Sequence, residues 1–192
     1  MRRSVLFVLA LLLLTLGRVG NSNTGEQTGP VVDLDPDDPS ILERPFTADE
    51  IRDEWIPGLI LMLRRTGSEG VGVERWTVLK ADDEGVDIES VDTDDNGNAT
   101  GEPKVNHSTW FELRDHATFA ADRSTREWVS RSTTLGVFDG WLYRVSDPDA
   151  DTMTEFFFVP TLPGAPVQMR IFKKGTVIFE LEQIIRMRPT AR

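Results

Sequence analysis

The chain of 192 residues has no cysteine, only two histidines and only one tyrosine. The missing cysteines exclude disulfides, thiolate nucleophiles, cysteine-ligated zinc and a lipidated cysteine at the N-terminus. Cations are also scarce: 21 Lys and Arg stand against 32 Asp and Glu, a net charge of −11. Nucleic-acid binding needs clustered Lys and Arg on one face, so the charge balance argues against a nucleic-acid partner. There is no G-x-S-x-G elbow, and Gly67, Gly70 and Gly72 are not followed by the helix that a phosphate-binding loop needs. Ser108 beside His107 lacks an orienting third group. No catalytic residue is assigned; a hydrolase of unrecognised type stays an alternative because a site can exist without a motif.

What is present divides the chain into three parts. Arg2 and Arg3 precede an unbroken apolar stretch from Val5 to Leu14, which Thr15 and Leu16 continue. A charged start and a short apolar run read as a signal peptide over 1–20. The run is shorter than the roughly 20 apolar residues of a spanning helix, so no transmembrane domain is expected once the signal is removed. An uncleaved anchor is the alternative, because Thr15 and Gly17 make only a weak cleavage signal. The expected address is the periplasm or the exterior. Residues 21–45 form an acidic linker, rich in Pro, Gly, Asp and Ser, with six acidic residues against Arg44 alone. A single domain is expected over 46–189.

Within the domain, Thr47-Ala-Asp-Glu50 is a capping box, and the helix it starts is stopped by Pro57-Gly58. The short apolar run 59–63 reads as a strand. Strand-length segments with turn boundaries follow at 72–80, 85–92, 125–133, 137–146, 152–159, 166–173 and 176–187. Lys174-Gly175 predicts a tight hairpin between the last two. A helix is expected over about 108–117, where Trp110, Leu113 and Ala117 share one face. The fold class is mainly β (α+β): a curved antiparallel sheet or half-barrel of about eight strands with two short helices. Several strands are apolar on both faces. Val137, Trp141, Tyr143 and Val145 share one parity, while Phe138 and Leu142 share the other. Phe156 and Phe158 likewise oppose Phe157. A flat sheet with one wet face would alternate more cleanly, so the sheet is expected to curl around a core or to close.

Two segments carry a resemblance: Gly136-Val-Phe138-Asp-Gly-Trp141-Leu-Tyr143-Arg-Val145, and Phe156-Phe-Phe158-Val-Pro160 with Leu162-Pro-Gly164-Ala-Pro-Val167. Together they resemble uncharacterised exported bacterial β-domains of half-barrel or lipocalin-like type, over about 130–187. The resemblance implies a curved antiparallel sheet. These families have no settled activity, so it carries no residue role.

Two candidate sites emerge. Trp76, Phe138, Trp141, Tyr143, Phe156 and Phe158 are enough aromatics to line an apolar pocket, or else to fill a core. Asp92, Asp94, Asn96, Asn98 and Glu102 follow the front half of a calcium loop, with oxygen ligands at alternate positions and a glycine for the turn. The match then fails, because the twelfth position is Pro103 and Glu102 stands one place early. A polar hairpin at Asn96-Gly97 explains the same residues. Calcium is the only cofactor the pattern admits. His116 and Glu112, four apart, have the spacing of an ordinary helical surface pair. The window from Ala81 to Glu102 holds nine acidic residues and no basic one. Toward the C-terminus, Arg170, Lys173, Lys174, Arg186, Arg188 and Arg192 are expected to guard an edge strand. The expected function is an exported binding module for an apolar small molecule or a partner peptide of the envelope. The second reading is a structural or interaction module with a weak calcium-binding loop.

Overall fold

The computed structural model describes residues 38–94 and 96–189. The expected signal peptide and most of the linker lie outside the described residues. Nine strands form one antiparallel sheet: β1 (Ile60–Gly67), β2 (Gly70–Ala81), β3 (Gly85–Thr93), β4 (Lys104–Thr109), β5 (Ser124–Thr133), β6 (Gly136–Asp147), β7 (Thr152–Phe158), β8 (Gln168–Lys173) and β9 (Thr176–Met187). Their order is β4-β3-β2-β1-β9-β8-β7-β6-β5. Two meanders, β1–β4 and β5–β9, therefore meet at the β1–β9 pair in the centre. The sheet is curved and open. It ends in two edge strands, β4 and β5, which do not pair with each other.

The chain passes from one edge to the other after β4, through a short helix. Helix α1 (Ala48–Glu54) precedes the sheet, and α2 (Trp110–Asp115) lies in that crossover and packs against α1. Both begin with a complete capping box. Thr47 accepts from the Glu50 N–H and Thr109 from the Glu112 N–H, while each glutamate reaches back to its cap. The second helix starts at Trp110 with Thr109 as its cap, inside the expected span, and the residues before it, Lys104–Thr109, pair with β3 as a ninth strand. Strand β1 extends beyond the expected 59–63 as far as Gly67, since Arg64 to Thr66 continue its ladders on both sides.

The two-faced strand pattern is realised as two packed faces. Directly paired residues share a face, so Tyr143 lies with Phe156 and Trp141 with Phe158. Phe46 and Phe119, from the segments flanking the helices, cover this crossover face. On the opposite face Leu142, Phe157, Val159 and Val167 form a second core, packed by Val129, Leu135, Phe138 and Leu162. The packed chain begins ahead of Phe46. Ile41 bridges Ala120, and the Leu42 N–H donates to the Phe119 carbonyl.

Lys174-Gly175 closes β8 on β9 as a two-residue turn with positive φ at both positions, 51° and 77°. That is the geometry whose twist matches the strands. The edge-guarding role expected of the C-terminal cations is corrected by topology. Strand β9 is central, between β1 and β8. The side chain of its Arg186 is 5% exposed and pairs with Glu54 of α1 at 3.0 Å.

Candidate functional site

The six aromatics named from the sequence do not form one group. Tyr143, Phe156 and Phe158 are buried on the crossover face, with Trp141 half-buried beside them. Phe119 sits 5.0 Å from both Tyr143 and Phe156, ring centre to ring centre, and Phe46 meets Phe158 edge-on at 5.8 Å. Edge-to-face packing of this kind fills space on both sides of each ring. The Tyr143 hydroxyl donates to the Glu43 carbonyl at 2.6 Å, and burial pushes its pKa up. Trp141 lies farther out. Arg126 stacks over its ring at 3.5 Å, and Trp128 on β5 meets it edge-on at 4.8 Å with 52% of its own surface exposed. Phe138 belongs to the opposite core. Trp76 is on β2, paired with Leu61, on the far side of the central strands.

Around Trp76 the surface changes from aromatic to polar. Register puts Glu74 opposite Leu63 and Asp92, and Trp76 opposite Ser90. Glu74 is buried, and burial pushes its carboxyl up, with Arg65 offsetting part of that rise. Arg65 itself is bound to Asp92 at 2.5 Å.

The calcium-like residues take up other partners. Asp92 is held by Arg65. Asp94 accepts the Asn96 and Asn98 backbone N–H groups at 2.9 and 2.8 Å, and the Asn98 side-chain amide at 3.0 Å. Those donors, the Asn98 side chain first, hold the Asp94 carboxyl below its ordinary range. Ala99 then bridges back to Thr93, and Gly97 has φ +82°, so the segment is a closed polar turn. A cation would have to displace Arg65 and the loop's own N–H donors to gain either carboxylate. Among the described residues no group of three or more His, Asp or Glu side chains is arranged to hold a metal ion. The histidines are far from each other's chemistry: His107 pairs with Asp87 across β3–β4, and His116 caps the C-terminus of α2.

The second face carries a charged ladder over its apolar core. Glu155 accepts from Arg131 at 2.8 Å and Arg144 at 2.9 Å. Glu182 binds Arg64 at 2.6 Å and the Thr134 N–H at 2.8 Å. Burial pushes the Glu155 carboxyl up, but the two arginines pull harder, and it ends below its ordinary 4.5. A carboxyl depressed by folding adds stability above its unfolded pKa and loses it as pH falls through the folded value. Glu155→Gln is therefore expected to cost about 1.5–3 kcal/mol at neutral pH, the range for hydrogen bonds to charged groups. It should also flatten the acid limb of stability below about pH 4.5, the ordinary carboxyl value. Urea melts of both proteins between neutral pH and about pH 3 check this; parallel curves would mean that the arginines do not hold Glu155.

The edges complete the surface. Residues Lys104 to His107 of β4 are exposed, and the 58% exposure of Val105 is high for an apolar strand residue. Sequence reasoning missed this strand. Its signal is the alternation Val105, His107, Thr109 after Pro103, which is too short and polar to stand out from a loop. A shallow surface groove of about 380 Å³ lies between the β6–β7 and β8–β9 turns, lined by Met153, Phe172, Pro148 and Lys174 among others.

No protein-family model matches the chain, and no curated protein matches it. Solved structures do. MucB in complex with MucA(peri) is similar at a TM-score of 0.50 and 9% identity, over 75% of this chain and 55% of that one. The Pseudomonas aeruginosa MucA/MucB complex gives 0.49 and 10%, over 72% and 54%. A Bacteroides fragilis protein with a YmcC-like fold gives 0.41 and 9%, over 69% and 96%. The chain thus spans about half the length of the MucB structures it matches. At this identity the likeness is one of fold alone.

Proposed function

We propose that the chain is a non-catalytic binding module of the bacterial cell envelope whose ligand is another polypeptide. The observation that carries this reading is the open sheet. Among the described residues neither edge strand is paired with a strand on its outer side, and β5 presents the half-exposed Trp128 beside Trp141 and Arg126. Tryptophan and arginine are the residues most enriched where proteins hold each other. The likeness to MucB, solved in complex with MucA(peri), supports a partner protein over a small molecule. The buried aromatics support the same choice, since Phe46 and Phe119 already occupy the space over Tyr143, Phe156 and Phe158. Non-catalytic use fits the buried carboxylates Glu155 and Glu182, which are bound by arginines. The leader expected over 1–20 supports the envelope address.

The test is cross-linking in the producing cell, followed by native mass spectrometry of the gently purified protein. The expected result is a complex with a second polypeptide. A mass increment of only a few hundred daltons, lost on denaturation, would replace the reading with a small-molecule carrier. A bare chain after efficient cross-linking would overturn it.

A further inference from the structure

Open sheets seldom leave both edges equally available, and here the two edges differ. Natural edge strands are protected by charged side chains, prolines or covering segments. Strand β5 has such protection. Arg126, Glu127 and Arg131 lie along it, all engaged in ion pairs, and the bridge of Ile41 to Ala120 lies next to its start. Strand β4 has Pro103 and Lys104 at its beginning and then no Lys, Arg, Asp or Glu as far as Thr109. Among the described residues no strand pairs with it on its outer side.

The strand behind β4 is acidic. Asp87 and Glu89 of β3 stand directly opposite His107 and Val105, so all four share one face. They belong to the window from Ala81 to Glu102, with its nine acids and no base. A strand added to β4 would lie about 4.8 Å beyond it and about 10 Å from β3. Exposed charges more than about 8 Å apart are largely screened at physiological salt, so the acidic row acts on an incoming chain through side chains long enough to reach back toward β3. A lysine or arginine placed opposite Val105 would lay its methylene stem on that exposed side chain and direct its charge toward Glu89.

We infer that β4 is the docking edge for an extended, basic segment of a partner polypeptide, which adds as a tenth strand with alternate Lys or Arg residues over Val105 and His107. This inference rests on the partner-binding reading above and names where the partner sits. Main-chain hydrogen bonds would supply affinity and the acidic row would supply selectivity. A second copy of this chain is disfavoured as occupant, because each copy carries a charge of −11.

The probe is a nine-residue peptide alternating Lys and Val, with a Glu–Val peptide as counterpart, added to the exported protein purified from the producing cell. Hydrogen–deuterium exchange is expected to slow over 104–109 and to stay unchanged over 124–133. The Glu–Val peptide should leave both regions unchanged. Reversing Glu89 and Asp87 together (E89K with D87K) is expected to weaken Lys–Val binding at least tenfold and to reduce its salt dependence. Val105→Pro and Asn106→Pro provide a second route. One of them removes an N–H that points outward, and that variant should keep the melting temperature yet lose the peptide. Protection over 124–133, equal binding of both peptides, or no binding would each overturn the inference. The cellular cross-links separate it from the reading beneath it. A native partner cross-linked to β5 and not to β4 overturns the edge assignment alone. No partner in the cell overturns the reading itself, and saturable protection of β4 by the peptide then still supports the edge assignment.

Discussion

Phe158→Ala should cost about 3–5 kcal/mol of unfolding free energy, the range for deleting a buried phenylalanine. The ring is 2% exposed and touches four others: Phe46 at 5.8 Å, Tyr143 at 5.6 Å, Phe156 at 6.3 Å and Phe119 at 6.4 Å. These come from strands β6 and β7, from the segment before α1 and from the segment after α2. Relaxation into the hole would have to move elements that are pinned elsewhere. Tyr143 is fixed through its hydroxyl to Glu43, and β7 through its ladders to β6 and β8. The comparison is Trp128→Ala, which removes a larger side chain that is half exposed and should cost about 1 kcal/mol, the centre of the range for point substitutions. Urea melts give both values. A Phe158→Ala cost near that of Trp128→Ala would show that Phe158 lines an open space, and the ligand-pocket reading of the aromatics would return.

The two-faced aromatic strands were legible for a simple reason. Side chains alternate along a strand, so parity alone separates Tyr143, Phe156 and Phe158 from Leu142 and Phe157. The Thr47–Glu50 capping box and the Lys174-Gly175 turn were legible because their chemistry is complete within four residues. What parity cannot supply is register between distant segments. Nothing local to Arg186 indicates that Glu54 will meet it, and nothing local to β9 indicates that β1 will flank it. The same limit scattered the pocket residues, since Trp76, Phe138 and Tyr143 are similar in type and differ in which strand and face receives them. Strand β4 was missed because an edge strand needs no apolar face: only one side of its backbone is satisfied, and its side chains stay in water. The calcium-like spacing is ambiguous for a related reason. Carboxylates at alternate positions equally serve a turn that bonds its own backbone, and the partner that takes Asp92, Arg65, comes from another strand.

The Pro163-Gly164 turn is a fastening point between the loop after β7 and the end of α1, and Gly164→Ala should break it. Gly164 has φ +105°, and a Cβ built there would stand 2.2 Å from the Trp55 indole nitrogen. That nitrogen donates to the Pro163 carbonyl at 2.9 Å, and the same carbonyl accepts from Arg186 at 3.2 Å. Trp55 is 1% exposed and cannot swing aside into solvent. Three costs combine: a positive φ for alanine at about 1–2 kcal/mol, overpacking at about 1–3 kcal/mol, and a buried indole N–H left without its acceptor at about 1–3 kcal/mol. Because one shift relieves part of each, a total of about 3–6 kcal/mol is expected rather than their full sum. Gly175→Ala isolates the first cost. Its φ is +77°, and nothing lies within 4 Å of its Cβ position. That variant should lose only about 1 kcal/mol, since alanine also narrows the unfolded ensemble. The gap between the two denaturation midpoints measures the Trp55 contact directly. Equal losses would mean that the turn is not fastened to α1, and that Trp55 is held by the surrounding core alone.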